Sequence, residues 1–224
     1  MCSIIVLAGG VGTRMKNSVP KQYMLLAGKP IIMHTIEKIN SIDAISEIII
    51  VCAQEYVSYL ETMFRQYYIK KTVKFALAGD TRQASVRSGL KMVNTENVMI
   101  HEAARPFVKK EEFEEIINSQ SENVILGSPI NFTVLKGNSK VCGILNRSEL
   151  VNVQLPQKFN TELLLASHLA AKKEGIVFTE DASLVHYYNP DVRIDILPGK
   201  EYNIKLTNPI DTIIGEHIYN EFFC

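Results

Sequence analysis

Short apolar runs alternating with helix-period segments constrain this chain more than any other feature. Ile4–Leu7 reads as a strand, and Glu47–Cys52 is apolar after its first residue. Thr72–Leu77, Asn97–His101 and Asn123–Ser128 extend the strand series. Between them, Ile31–Ile39, Glu55–Gln66, Gln83–Met92 and Lys110–Ser119 carry helical spacing. Strands with no polar alternation must be covered on both faces, so the pattern predicts a mostly parallel sheet between helical layers. A hydrophobic fraction of 46% supplies enough apolar mass for that core without disulfides or metal staples.

Pro129–Leu155 breaks the alternation. Phe132–Leu135 and Lys140–Leu145 read as two short strands joined at Lys136-Gly137-Asn138-Ser139, either a projecting β-arm or a surface hairpin. The α/β pattern then resumes. Helices are expected at Thr161–Lys173 and Asp181–Tyr188, strands at Val192–Ile196 and Asn203–Leu206, and a closing helix from Pro209. No repeat, low-complexity tract or linker divides the 224 residues, which are read as one domain.

With 24 basic and 24 acidic side chains, the chain lacks the charge excess of a nucleic-acid or membrane-surface binder. Its four cysteines (Cys2, Cys52, Cys142, Cys224) are scattered without metal-ligand spacing, as expected of free thiols in a reducing compartment. Neither a secretory leader nor a membrane-length apolar run is evident, so a cytoplasmic location is expected.

In open parallel sheets, ligands collect at the carboxyl ends of strands. Three segments follow such ends here: Ala8–Gly12, Gly79–Thr81 and Glu102–Pro106. The first, Ala8-Gly-Gly-Val-Gly, is followed by Arg14 and Lys21. Glycines allow positive φ and close ligand approach, so the loop suits a triphosphate; its alternative is a tight turn with solvated charges. It lacks the Gly-Lys-Ser/Thr of a P-loop and departs from G-x-G-x-x-G. Gly79-Asp80-Thr81-Arg82-Gln83-Ala84-Ser85 could hold a nucleobase edge or simply cap a helix. Glu102 and Arg105 could serve a ligand or form an ordinary ion pair. Thr179-Glu180-Asp181-Ala182-Ser183 carries helix-start chemistry, and Lys205 sits among apolar neighbours as an outward strand residue would.

Taken together, these segments resemble the 2-C-methyl-D-erythritol 4-phosphate cytidylyltransferases and the related ribitol-5-phosphate cytidylyltransferases. The matching pieces span nearly the whole chain in order: Leu7-Ala-Gly-Gly-x-Gly-Thr-Arg-Met, Pro20-Lys-Gln-Tyr, Gly28-Lys-Pro, Gly79-x-x-Arg-x-x-Ser-Val and His101-Glu-Ala-Ala-Arg-Pro. Asn146-Arg147-Ser, Pro156-Gln-x-Phe, Thr179-Glu-Asp-Ala-Ser and Asn203-Ile-Lys-x-Thr-x-Pro follow. The resemblance implies a Rossmann-like nucleotidyltransferase sheet and transfer of a cytidylyl group from CTP to a polyol phosphate, with Mg²⁺, releasing pyrophosphate. It implies that Arg14 and Lys21 neutralise phosphate charge and that Ala8, Gly9, Gly10, Gly79, Asp80 and Ser85 bind CTP. Glu102 would associate with the metal. Arg105, Thr133, Arg147, Thr179 and Lys205 would grip the polyol phosphate, with Thr133 and Arg147 on an arm reaching the other subunit of a homodimer.

Four positions depart from the erythritol-phosphate pattern. Glu102 replaces Asp, Phe132 replaces Asp, Leu155 replaces Thr, and Tyr202 stands where an acid is common, as in the ribitol-phosphate relatives. Phe132 and Leu155 would make the acceptor pocket more apolar, and Tyr202 would offer it a phenol. The chain is expected to use methylerythritol phosphate, with ribitol phosphate as the alternative acceptor. Two other readings are a nucleotide-binding scaffold without turnover and a sugar 1-phosphate nucleotidylyltransferase; Pro156-Gln and Asn203-Ile-Lys speak against the latter.

Overall fold

The computed structural model describes residues 1–10 and 20–224. Arg14 and Gly12 lie outside the described residues. Four strands form the parallel heart of the sheet: β1 (Cys2–Leu7), the later strands at Ile45–Cys52 and Thr72–Leu77, and that at Asn97–Glu102. Two short strands, β2 (Leu25–Leu26) and β3 (Lys29–Pro30), form a ribbon after β1, so these three become β4, β5 and β6. β4 pairs on one side of β1 and β6 on the other. Chain direction across the sheet therefore switches at β1, where a crevice opens beyond the strand ends.

Side chains of β1 alternate between two cores, as period-2 geometry requires. Ile4 and Val6 face α1 (Ile31–Asn40), α2 (Val57–Gln66) and α4 (Lys110–Asn118), packing with Ile36, Leu60 and Phe113. Ile5 faces the opposite layer, α3 (Arg82–Leu90), α5 (Thr161–Glu174) and α6 (Asp181–Tyr188), with Val86, Leu164 and Leu184. A third cluster seats the last helix, α7 (Pro209–Phe222), through Ile218 on Leu26, Phe107 and Leu206.

The remaining strands differ from the expectation in instructive ways. β7 (Val124–Pro129) is followed by the hairpin β8 (Leu135–Gly137) and β9 (Val141–Ile144), which is shorter than expected and starts after Thr133. The chain then returns as β10 (Val151–Asn160), antiparallel to both β6 and β7, so the sheet is mostly parallel, as expected, with one antiparallel strand among the seven described. Pro156 lies inside this strand. Proline cannot donate to a ladder and usually marks a strand's limit; here it falls where the β10–β7 register shifts between Gln154 and Lys158. The expected strand at Val192–Ile196 lies farther on, as β11 (Asp195–Pro198), parallel to β7 at the sheet edge. Asn203–Leu206 is not a strand: its backbone ties to the loop after β6 through Leu206 N–H and the Ala104 carbonyl, 2.9 Å apart.

Candidate active site

The described parts of all three segments following strand ends meet at the crevice. Leu7 and Glu102 are register partners, so β1 and β6 leave the sheet at the same level. Gly9 and Gly10, Gly79 and Asp80, and Glu102 and Ala104 line one cleft of about 460 Å³, with Lys21, Arg82, Ser85 and Lys205.

Close approach, not left-handed backbone, explains Gly9 and Gly79. Positive φ among the described glycines occurs at Gly28 and Gly175. A Cβ on Gly9 would collide with that of Ala78, and one on Gly79 would lie 2.6 Å from the Ala84 Cβ. The loops after β1 and β5 are thereby pressed together. Gln22 locks the first loop by donating from Nε2 to the carbonyls of Ala8 and Gly10, at 2.6 and 3.1 Å. Ala8 itself is buried; its N–H donates to the Val51 carbonyl, so Ala8 supports the loop from behind. Ser85 Oγ accepts the Gly79 N–H at 3.0 Å, and Thr81 caps α3 by accepting from Ala84. The helix-capping reading of that segment is thus realised alongside its place on the cleft wall.

Glu102 is the electrostatic centre. Arg82 Nε lies 3.3 Å from its Oε1, while Lys205 Nζ and Arg105 Nε approach Oε2 at 2.9 and 3.4 Å. Burial by itself would raise the Glu102 pKa, but Lys205, Arg82 and Arg105 outweigh it and hold the carboxyl at about 2. Arg82 reaches farther, to Asp181 Oδ2 at 2.8 Å, and Asp181 Oδ1 meets His168 Nε2 at 3.0 Å. Asp181 and His168 are buried, so Arg82 bridges a wholly internal carboxylate and the cleft. Burial also pushes His101 down to about 3, leaving it neutral. Its Nε2 lies 3.1 Å from the Arg105 carbonyl, which can only accept, so Nε2–H holds the turn after Glu102. Lys38 pins the same loop by donating to the carbonyls of Pro106 and Val108.

Not every sequence-assigned residue joins the cleft. Arg105 supports Glu102 and donates to the Asn203 carbonyl at 3.0 Å, and does not line the cleft wall. Thr179 is exposed, just before Glu180 caps α6; Gln83 fixes the preceding segment by accepting from Phe178 N–H at 2.7 Å. Thr133 and Arg147 are exposed on the arm, where Arg147 donates to the Asn131 carbonyl. Arg147 lines a separate hollow of about 850 Å³ at the arm's root.

Two expected acceptor-pocket residues turn elsewhere. Leu155 is buried in β10, its carbonyl accepting from Asn203 Nδ2 at 2.8 Å. Tyr202 donates its phenol to Glu112 rather than to the cleft. Conversely, the roles of Arg82, Asp181, His168 and Gln22 were not assigned from sequence. The Arg of Gly79-x-x-Arg, the Gln of Pro20-Lys-Gln-Tyr and the Asp of Thr179-Glu-Asp-Ala-Ser were the signals that marked three of them.

Residues 1–221 match the family of 2-C-methyl-D-erythritol 4-phosphate cytidylyltransferases. The chain belongs to this family. A family member from Bacillus cytotoxicus is 36% identical over 220 residues, covering 96% of both chains. The chloroplastic family member of Oryza sativa is 34% identical over 225 residues, 98% of this chain and 74% of the rice protein. In three dimensions, the 4-diphosphocytidyl-2C-methyl-D-erythritol synthase of Anaerococcus prevotii superposes with a TM-score of 0.87 at 25% identity, covering 98% of this chain and 96% of that one. The Thermus thermophilus 2-C-methyl-D-erythritol 4-phosphate cytidylyltransferase, 23% identical with a TM-score of 0.78 over 97% of this chain and 98% of that one, shares the fold. Family membership makes the chain a CTP-dependent cytidylyltransferase.

Proposed function

We propose that this chain transfers a cytidylyl group from CTP to the phosphate of 2-C-methyl-D-erythritol 4-phosphate, releasing pyrophosphate. The observation that carries this reading is the cleft at the strand switch, where a close-packed glycine loop and Lys21 face Glu102 with its ring of cations. An acceptor phosphate oxygen attacks the α-phosphorus of CTP in line as the bond to pyrophosphate breaks. Protein groups need not form covalent bonds in such a transfer; orientation and fixed positive charge lower the barrier.

Lys21, with Arg14, neutralises charge that builds on the α-phosphate and the departing pyrophosphate. Gly9 and Gly10 bring backbone close to the phosphates, and Gly79, Asp80 and Ser85 form the cytidine side. Lys205, held by Glu102, meets the acceptor phosphate from the opposite wall, with Arg105 behind it.

Mg²⁺ suits this donor set. It is commonly held by one or two carboxylates together with substrate phosphates and water. Glu102 is ionised and on the cleft wall, and no cage of three or more His, Cys, Asp or Glu side chains occurs among the described residues. Glu102 would therefore hold the ion with phosphate oxygens, and the bound ion would supply further charge neutralisation at the phosphates.

The exposed arm, with Phe132 and Ile144 more than four-fifths accessible, supports a homodimer in which Thr133 and Arg147 serve the other subunit's site. A cytoplasmic setting accords with four free thiols, and among the described residues no helix is long and apolar enough to cross a membrane. The test is pyrophosphate release from CTP with methylerythritol phosphate, ribitol 5-phosphate or glycerol phosphate, with and without excess EDTA. Methylerythritol phosphate should be preferred and EDTA should stop turnover. A tenfold preference for ribitol 5-phosphate would overturn the acceptor; full activity in EDTA would overturn the metal.

A further inference from the structure

Lys205 enters the cleft from a segment without regular structure, so something else must fix its backbone. Asn203 anchors one end through Nδ2 and the Leu155 carbonyl. Asp211, in the first turn of α7, anchors the other. Its Oδ2 accepts from the Thr207 N–H at 2.6 Å, the Thr207 hydroxyl at 2.7 Å and the Asn208 N–H at 2.7 Å. An acid at this place in a helix often belongs to a capping box, as it does here. Thr207, however, precedes the cap and lies two residues from Lys205, so the hold reaches past the helix into the site.

We infer that Asp211 is a positioning residue of the transfer site, fixing the backbone that presents Lys205. The inference deepens the proposed reaction and rests on it. Asp211 does not line the cleft; it acts through Lys205, which does. Misplacing a charge-stabilising group by about 1 Å can cost on the order of a hundredfold in rate.

Asp211→Asn keeps an acceptor oxygen for Thr207 and Asn208 but removes the charge. Bonds to the neutral amide are weaker than those to the carboxylate, so Thr207 is held more loosely; kcat of the folded variant should fall tenfold or more, and Asp211→Glu should recover part of the loss. A purely capping role would lower the melting temperature and leave the kcat of folded protein unchanged, which would overturn the inference. Should Asp211→Asn not fold, Thr207→Val removes the hydroxyl donor alone and should lower kcat at an unchanged melting temperature; wild-type kcat in that variant overturns the inference as well. If the wild type turned over none of the three acceptors, the functional reading would fail. The positioning role would then be read from amide hydrogen exchange across residues 203–207, which Asp211→Asn should speed; unchanged exchange would overturn it.

Discussion

Glu102→Gln removes the negative charge on which Arg82, Arg105 and Lys205 converge while keeping the side chain's size. The carboxyl is buried and held at about 2, against 4.5 when unperturbed. That difference corresponds to about 3 kcal/mol of folding stability from ionised Glu102 at neutral pH, at roughly 1.4 kcal/mol per unit. Because the folded pKa is depressed, the contribution is complete well above 4.5 and fades as pH falls towards 2. At pH 3 only about 1 kcal/mol would remain. Urea unfolding of wild type and Glu102→Gln at pH 7, 4 and 3 measures this directly. The variant should be the less stable at pH 7, and the gap between the two proteins should shrink by about 2 kcal/mol at pH 3. A gap that does not change between pH 7 and 3 would mean that the three cations do not stabilise the Glu102 carboxylate.

Further outcomes concern the transfer step and the assembly. Lys21→Ala should lower kcat by at least about a hundredfold with an unchanged far-ultraviolet circular dichroism spectrum; a raised KM at unchanged kcat would confine Lys21 to ground-state binding. Mixing inactive Lys21→Ala with inactive Arg147→Ala subunits should restore part of the activity, since one site of each mixed dimer would keep both groups. No recovery after proven subunit exchange would show that each site is built from one chain.

Local sequence determined the elements that bury themselves. The apolar run from Ile45 to Cys52 has few alternatives to a buried strand, and the alternation through β1 places its side chains in two cores. Helix starts were legible for the same reason: α6 begins at Asp181 as expected, because Glu180 offers an acceptor for its first N–H groups. The strand-end loops also announced the cleft, since a parallel sheet leaves its ligands little choice of end.

What the sequence could not determine depended on partners distant along the chain. Pro156 reads locally as a break, yet β10 runs through it because β6 and β7 pair on either side. Asn203–Leu206 has a strand's composition, but with Arg105 and Ala104 taking its backbone groups it adopts another course. The Leu155 carbonyl and the Tyr202 phenol are engaged by Asn203 and Glu112, partners far away in sequence. The charge network is the clearest case. Glu102, Arg82, Asp181 and His168 come from separate elements, and no periodicity encodes which buried carboxylate a given arginine will meet. A residue's face is set by its neighbours in sequence, whereas its charge partner is set by the packing of whole elements; composition at Glu102 allowed an ordinary ion pair, and tertiary structure made it the centre of the site.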